Sequence, residues 1–407
     1  MTQRGLPDFE IKKLNMLSFP TDVIPKCELT GVNANYQLIC SDCTLYYASE
    51  QLAEQAWYGI IGKISHLLGP LMAPAPMIGS KDERAKRANS IVYSKRHLID
   101  FCLGESSTFL SVKKYQLAIP AASQALRFSR ELDGDTSILL VEPYLQLAQA
   151  SFGLRRYKQC QEYLALAQWI VLNSEECADI TRSRLHQLCG RLNATQGEFT
   201  AAKEDYSKAI YYSSRCFGAE SIATSIGYFR LGDVFMALSS PENAMAFFDK
   251  VVDIWYKYLS ALLSRVESDV NGANSEVEPQ NDVEALNEEN MAEGRGQLQS
   301  ILEQRKNILG NKHIATGEIM FTLGIFDYFL LGNQGIAADN ISSALSIYKL
   351  QLGEEHKSTL HVEGVLAQVN METEERRGNE QSQYGDSQEF NYNMDVNFEA
   401  QSAEAAN

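Results

Sequence analysis

The sequence predicts an all-α fold, a superhelix of stacked helix pairs, from three observations. First, residues that pack helices recur in triplets, Ala118/Ala122/Ala125, Cys160/Leu164/Ala167, Ala202/Tyr206/Ala209 and Ala244/Phe248/Val251, and successive triplets are 42 residues apart. Offsets of four and seven put all three residues of a triplet on one helical stripe, where small side chains let a neighbouring helix come close. Second, a different helical pattern lies about thirteen residues upstream of three of the triplets, clearest in YFRLGDVF with Tyr228, Leu231, Gly232 and Phe235, and weaker at Tyr144, Leu147 and Ala148 and at His186, Cys189 and Gly190. Third, the charge is local: residues 266–294 hold nine acidic and no basic residues, residues 371–407 hold nine acidic against Arg376 and Arg377, and these segments account for the net charge of −16.

The elements follow in order. Residues 1–26 read as an N-terminal extension. Residues 27–68 form a small module with Cys27, Cys40 and Cys43 at its start and a helix at its end. In that helix Leu52, Ala53, Ala56, Trp57, Ile60, Ile61, Ile64, Leu67 and Leu68 make a continuous apolar stripe. Residues 69–95 read as a spacer, and 96–264 hold the repeats. Residues 265–294 read as an acidic flexible loop, being rich in Asn and Glu without a helical stripe. Helices resume over 295–366. There HIATGEIMFTLG echoes SIATSIGYFRLG, and Ala337, Ile341 and Ala344 supply another triplet. The distance from the Leu-Gly pair to the triplet is one residue longer here, which predicts a longer turn. Residues 367–407 are polar and low in complexity and read as a disordered acidic tail.

Composition excludes several functions. The longest apolar stretch, residues 58–79, is interrupted by Lys63, His66, Pro70, Pro74 and Pro76, so no membrane span is expected. Outside the two acidic segments the chain is nearly neutral and shows no basic stripe of the kind that neutralises phosphates, so nucleic acid is not an expected ligand. Eight irregularly spaced cysteines behind a start without an apolar leader read as reduced thiols of a cytoplasmic protein, with no disulfides expected. No nucleophile elbow, phosphate loop, dinucleotide-binding glycine pattern or HExxH motif occurs, and the six histidines are scattered. The chain is therefore read as a non-enzyme.

The paired patterns resemble the tetratricopeptide repeat (TPR), in which W-x2-L-G-x2-Y is followed by A-x3-F-x2-A. The 42-residue period is similar to that of kinesin light chains. By this resemblance the first helix of each pair would line a concave face, with Leu145, Gln149 and Phe152, then Arg184, Gln187 and Arg191, then Phe229, Asp233 and Met236 as partner-binding positions. Residues 27–68 resemble the MYND zinc finger, which holds two zinc ions with eight ligands. Cys27, Cys40 and Cys43 match ligand positions, as Tyr47 and Trp57 match the family's aromatics. The other five positions hold Thr30, Ala48, Leu52, Ile61 and Ser65. A structural zinc site needs four N or S ligands. No cofactor is expected, and the three cysteines read as vestiges of a finger converted to an amphipathic helix that docks on the start of the array.

The order of a MYND-like segment, a spacer and 42-residue repeats resembles the axonemal family of zinc finger MYND domain-containing protein 12, over residues 25–260 and loosely to 365. That resemblance implies a scaffold of motile cilia and flagella, associated with an inner-arm dynein heavy chain or its subunits and with another TPR protein. A soluble TPR adaptor or assembly factor is the alternative. Because tubulin surfaces are acidic and this chain offers no cationic surface in sequence, direct binding to the microtubule lattice is not expected.

Overall fold

The computed structural model describes residues 9–15, 19, 24–40, 43–72, 80–174, 176–270 and 288–371. The fold is all-α apart from a small sheet, and the chain divides into two compact units: Met1–Ala219 with Val234–Ser239, and Glu220–Asp233 with Ser240–Asn407.

The first unit opens with three antiparallel strands, β1 (Glu10–Lys13), β2 (Tyr36–Ile39) and β3 (Thr44–Tyr47), in the order β1-β2-β3. Ile11 pairs with Leu38, and Leu38 with Leu45. Strand β1 lies in the stretch read as a bare extension: four residues beside a charged run carry too little alternation to announce a strand. Ser49 caps α1 (Glu50–Ala56) by accepting a hydrogen bond from the Leu52 amide. Helix α1 continues through a π-helical segment, Trp57–Ile61, into α2 (Gly62–Met72). The extra residue per turn in the π segment turns Trp57, Ile60 and Ile61 inward together, each at most 1% exposed, whereas Leu67 of the predicted stripe stands 41% exposed.

Helix α3 (Lys81–Ser111) begins within the expected spacer. Its start was legible as a capping box: Ser80 accepts from the Glu83 amide, and the Glu83 carboxylate accepts from the Ser80 amide. The spacer reading is thus corrected for residues 81–95; residues 73–79 lie outside the described chain. Helices α1 and α2 and the π segment pack on α3 and on α4 (Tyr115–Asp133), in a core that joins Trp57, Ile61 and Ile64 to Leu98, Cys102, Ala121 and Phe128. Gly59 permits that approach. A Cβ there would lie 2.8 Å from the Leu117 carbonyl oxygen and 3.2 Å from Pro120. Arg127 of α4 also reaches Glu28 at 2.8 Å. Each large apolar side chain buried in this joint contributes about 1.5–3 kcal/mol.

The repeat follows as α5 (Val141–Gly153) with α6 (Tyr157–Asn173), and α7 (Asp179–Gln196) with α8 (Phe199–Phe217); α9 (Ile222–Ala237) precedes α10 (Pro241–Val270). The second helices α4, α6, α8 and α10 start at 115, 157, 199 and 241, again 42 residues apart. Every residue of the four predicted triplets is at most 3% exposed. Two residues before each second helix stands a residue with positive φ: Lys113 at 58°, Arg155 at 59°, Gly197 at 85° and Ser239 at 56°. One tight turn geometry is therefore reused in each pair, and only one of these four positions carries the residue that adopts it without strain.

In the second unit, α11 (Glu288–Leu309), α12 (Ile314–Phe329), α13 (Gln334–Leu352) and α14 (357–371) follow α10. Two boundaries are corrected. Residues 265–270 and 288–294, read as part of the acidic loop, are helical, because α10 runs through Val270 and α11 starts at Glu288; residues 271–287 lie outside the described chain. Trp255, Leu259 and Leu263 carry the buried stripe of α10 onward, and Gly294, read as loop, brings α11 against Trp255, where a Cβ would sit 2.4 Å from the indole. The last helix extends to 371, past the expected 366, and the remaining tail lies outside the described residues. Ala337, Ile341 and Ala344 are fully buried. The α12–α13 turn spans 330–333, one residue longer than the 238–240 turn, as the spacing predicts.

Candidate functional site

The predicted partner-binding positions divide into residues that face a surface and residues that do not. In the first unit Gln149, Phe152, Gln187, Arg191 and Met236 are half-buried and Arg184 is exposed. Leu145 is a correction: it is 0% exposed and belongs to the core between α5 and α6, with Tyr144, Leu147 and Leu164. In the second unit Phe229 is corrected likewise. It is 5% exposed, tilted against Phe248 with ring centroids 6.0 Å apart and covered by the Arg230 guanidinium. Both misassignments have one cause: a family-derived helical position fixes a residue's direction only to within about one residue, and apolar side chains at that margin turn inward.

Two contacts organise the face that remains on α5 and α7. The Arg191 guanidinium lies 4.8 Å from the centre of the Phe152 ring, which Tyr157 meets edge-on at 5.8 Å. One Arg184 nitrogen donates to both Glu142 oxygens, at 2.9 and 2.7 Å, and Glu142 also accepts from Gln146 at 3.2 Å. Sequence reasoning missed Glu142, yet a signal existed: it stands one period of 42 residues before Arg184, so opposite charges occupy equivalent positions of successive first helices. The resulting surface offers cations with delocalised charge, an aromatic ring and amides, which suits a polypeptide with acidic and aromatic side chains. Asp233, in the second unit, is half-buried. Burial raises its carboxyl to about 6, against the opposing pull of Arg230.

The second unit holds a further concavity that the sequence did not announce, a cavity of about 630 Å³ lined by residues of α10 to α14. Arg305 forms its floor, 1% exposed, donating to Asp249 at 2.6 Å and to the Ala315 carbonyl. Tyr256, Phe321 and His361 form an aromatic wall, with Phe321 6.2 Å from Tyr256 and 5.8 Å from His361, edge to face. Glu318 lies at the rim, its carboxyl raised by burial. These residues come from helices up to about a hundred positions apart, so no local motif encodes the wall. It can receive an aromatic or amide side chain, and it contains no nucleophile hydrogen-bonded to a base.

Among the described residues, the positions compared with MYND ligands do not assemble a metal centre. Ile61 and Ser65 are buried in the helical core, Leu52 packs on it, and Thr30 is exposed. His66, the one spare imidazole nearby in sequence, is exposed on the outer side of α2. Among the described residues no three of His, Cys, Asp and Glu stand close enough to hold a metal ion. Cys40 and Cys43, by contrast, are held together with their sulfurs 2.6 Å apart. The donor set does not fit the two-zinc arrangement of the finger it resembles.

A tetratricopeptide-repeat family profile matches residues 227–254. Among solved structures, a set of nearly identical TPR-like repeats ascribed to a kinesin light chain of Podosopora anserina is similar at 11% identity and TM-score 0.33, covering 62% of this chain and 96% of the other. BtubC (BKLC) from P. vanneervenii is similar at 14% identity and TM-score 0.30, covering 64% and 94%. YrrB, a TPR protein with an unusual peptide-binding site, is similar at 14% identity and TM-score 0.25, covering 59% and 98%. The family match falls on the end of α9 and the start of α10, the helix pair whose sequence pattern is clearest, and the fold is an all-α array of TPR-type helix pairs behind a small three-stranded module.

Proposed function

We propose that this chain is a non-enzymatic scaffold of the motile cilium or flagellum axoneme, associated with inner dynein arms and needed for normal motility. A TPR-type helix array is a platform for protein–protein interaction. The observation that carries the finer reading is the order of parts: a ligand-depleted MYND-like module packed on the first helix pair, followed by pairs at a 42-residue period. Its partners on this reading are an inner-arm dynein heavy chain or its subunits and another TPR protein of the axoneme, engaged through the Phe152, Arg184 and Arg191 face. It attaches to the doublet through such a partner, not through the tubulin lattice, and its module folds without zinc. Zinc at one or more equivalents in the purified protein would overturn the last point, and pelleting with bare microtubules at physiological salt would overturn the one before it.

The deciding experiment tags the protein in a flagellated cell, removes the membrane with detergent and extracts with high salt. Retention after detergent, with salt release alongside inner-arm dynein heavy chains, is the expected result. Complete loss in the detergent supernatant would replace this reading with that of a soluble adaptor or assembly factor.

A further inference from the structure

We propose that Cys40 and Cys43 form a dithiol–disulfide site, which a low-molecular-weight disulfide of the glutathione class oxidises to a bond across the β2–β3 hairpin. The site follows from the backbone first. The register that pairs Ile39 with Thr44 makes Cys40 and Cys43 the next opposed pair, and the Cys40 amide donates to the Cys43 carbonyl at 3.0 Å. Opposed residues of such a hydrogen-bonded pair have Cα atoms about 5.5 Å apart, inside the roughly 4.4–6.8 Å that a disulfide spans. Their side chains leave the ladder on one face, and the two sulfurs lie 2.6 Å apart.

Access favours the same pair over the thiols buried in the helix cores. Cys43 is half-buried and the more open of the two, while Cys40 sits at the edge of the module core at 9% exposure, so attack by a small disulfide begins at Cys43. Cys102, Cys160 and Cys189 are each buried in a helix core, where burial pushes the first up to about 12, the second up to about 11 and the third higher still, so little of any is thiolate at neutral pH. Among the described residues no third His, Cys, Asp or Glu stands close enough to hold a metal ion with these two sulfurs.

The chemistry balances. The Cys43 thiol gives up its proton, and the thiolate attacks one sulfur of glutathione disulfide, breaking that bond and releasing one glutathione thiolate, which takes up a proton. The Cys40 thiolate then attacks the Cys43 sulfur of the mixed disulfide and releases the second glutathione. Two protein thiols are oxidised, one glutathione disulfide is reduced to two thiols, and one sulfur–sulfur bond joins the strands.

The test equilibrates the full-length protein in glutathione buffers from reducing to oxidising, quenches with acid, alkylates free thiols and cleaves before Asp42, which lies between the two cysteines. Oxidising buffers are expected to give the two flanking peptides joined by one disulfide, in the wild type and in Cys27→Ser alike, and reducing buffers both peptides alkylated. In Cys40→Ser, checked for folding by circular dichroism, the cross-link is expected to vanish and a glutathione adduct to build up on Cys43. Three results would overturn the proposal: full alkylation of both cysteines in the most oxidising buffer, a stable glutathione adduct in the wild type in place of the cross-link, or protection from alkylation that only a metal chelator removes.

Discussion

Gly232 and Phe248 provide the sharpest test of how the helix pairs are packed. A Cβ on Gly232 would lie 2.5 Å from Phe248 Cε1, 2.8 Å from Cδ1 and 3.2 Å from Cζ, and the ring is 0% exposed, enclosed on all sides. The same position in other pairs shows a compensation of size: Gly190 faces Tyr206 and Gly324 faces Ile341, whereas Ala148 shares its core with Leu164. Gly232→Ala adds one methyl to a filled space, which costs about 1–3 kcal/mol, set against about 1 kcal/mol that alanine gains over glycine in a helix. The net expectation is a loss of about 1 kcal/mol. Phe248→Leu alone costs about 1–2 kcal/mol through the volume it leaves empty. In Gly232→Ala/Phe248→Leu the methyl occupies part of that volume, so the double variant is expected to lose at least 1 kcal/mol less than the sum of the singles, a coupling within the range known for touching residues. Urea denaturation followed by circular dichroism measures all four proteins. Strict additivity, or a stabilised Gly232→Ala, would refute the claim that glycine is required by the ring opposite and not by the backbone.

Further expectations concern the turns, a titrating carboxyl and a buried ion pair. Arg155 is exposed and held at a φ of 59°, so Arg155→Gly is expected to raise stability by about 0.5 kcal/mol, the relief of left-handed strain less the entropy of a glycine; at the equivalent Gly197, where a Cβ would meet nothing within 4 Å, Gly197→Ala is expected to lower the urea midpoint through backbone strain alone. Asp233, raised to about 6, binds its proton more tightly folded than unfolded, so its contribution is fully present below about pH 4 and is lost as the pH rises through 6. Asp233→Asn should remove that loss, leaving the variant more stable than wild type at pH 7 by at most about 2–3 kcal/mol, and equal urea midpoints at pH 7 would contradict the assignment. Asp327 is 0% exposed and accepts from Arg295 at 2.5 Å and Asn340 at 3.4 Å. Asp327→Ala strands both donors and is expected to cost about 3 kcal/mol, tempered by the partial solvent access of Arg295, which thermal unfolding would register.

The sequence by itself determined the repeat. A period of 42 residues, the packing stripe of triplets and the Leu-Gly pattern upstream of it are local facts, because helix geometry converts offsets of three, four and seven into one face without reference to the rest of the chain. Tertiary structure decided the rest. Leu145 and Phe229 were assigned to an open face by resemblance to the TPR, and only the packing of the adjacent helices shows them enclosed. Gly294 looked like loop until the Trp255 indole, 39 positions earlier, gave its missing side chain a reason. The Arg305 cavity has the same origin: it depends on where helices far apart in the chain meet, a matter of distances across the fold that no periodicity along one segment encodes.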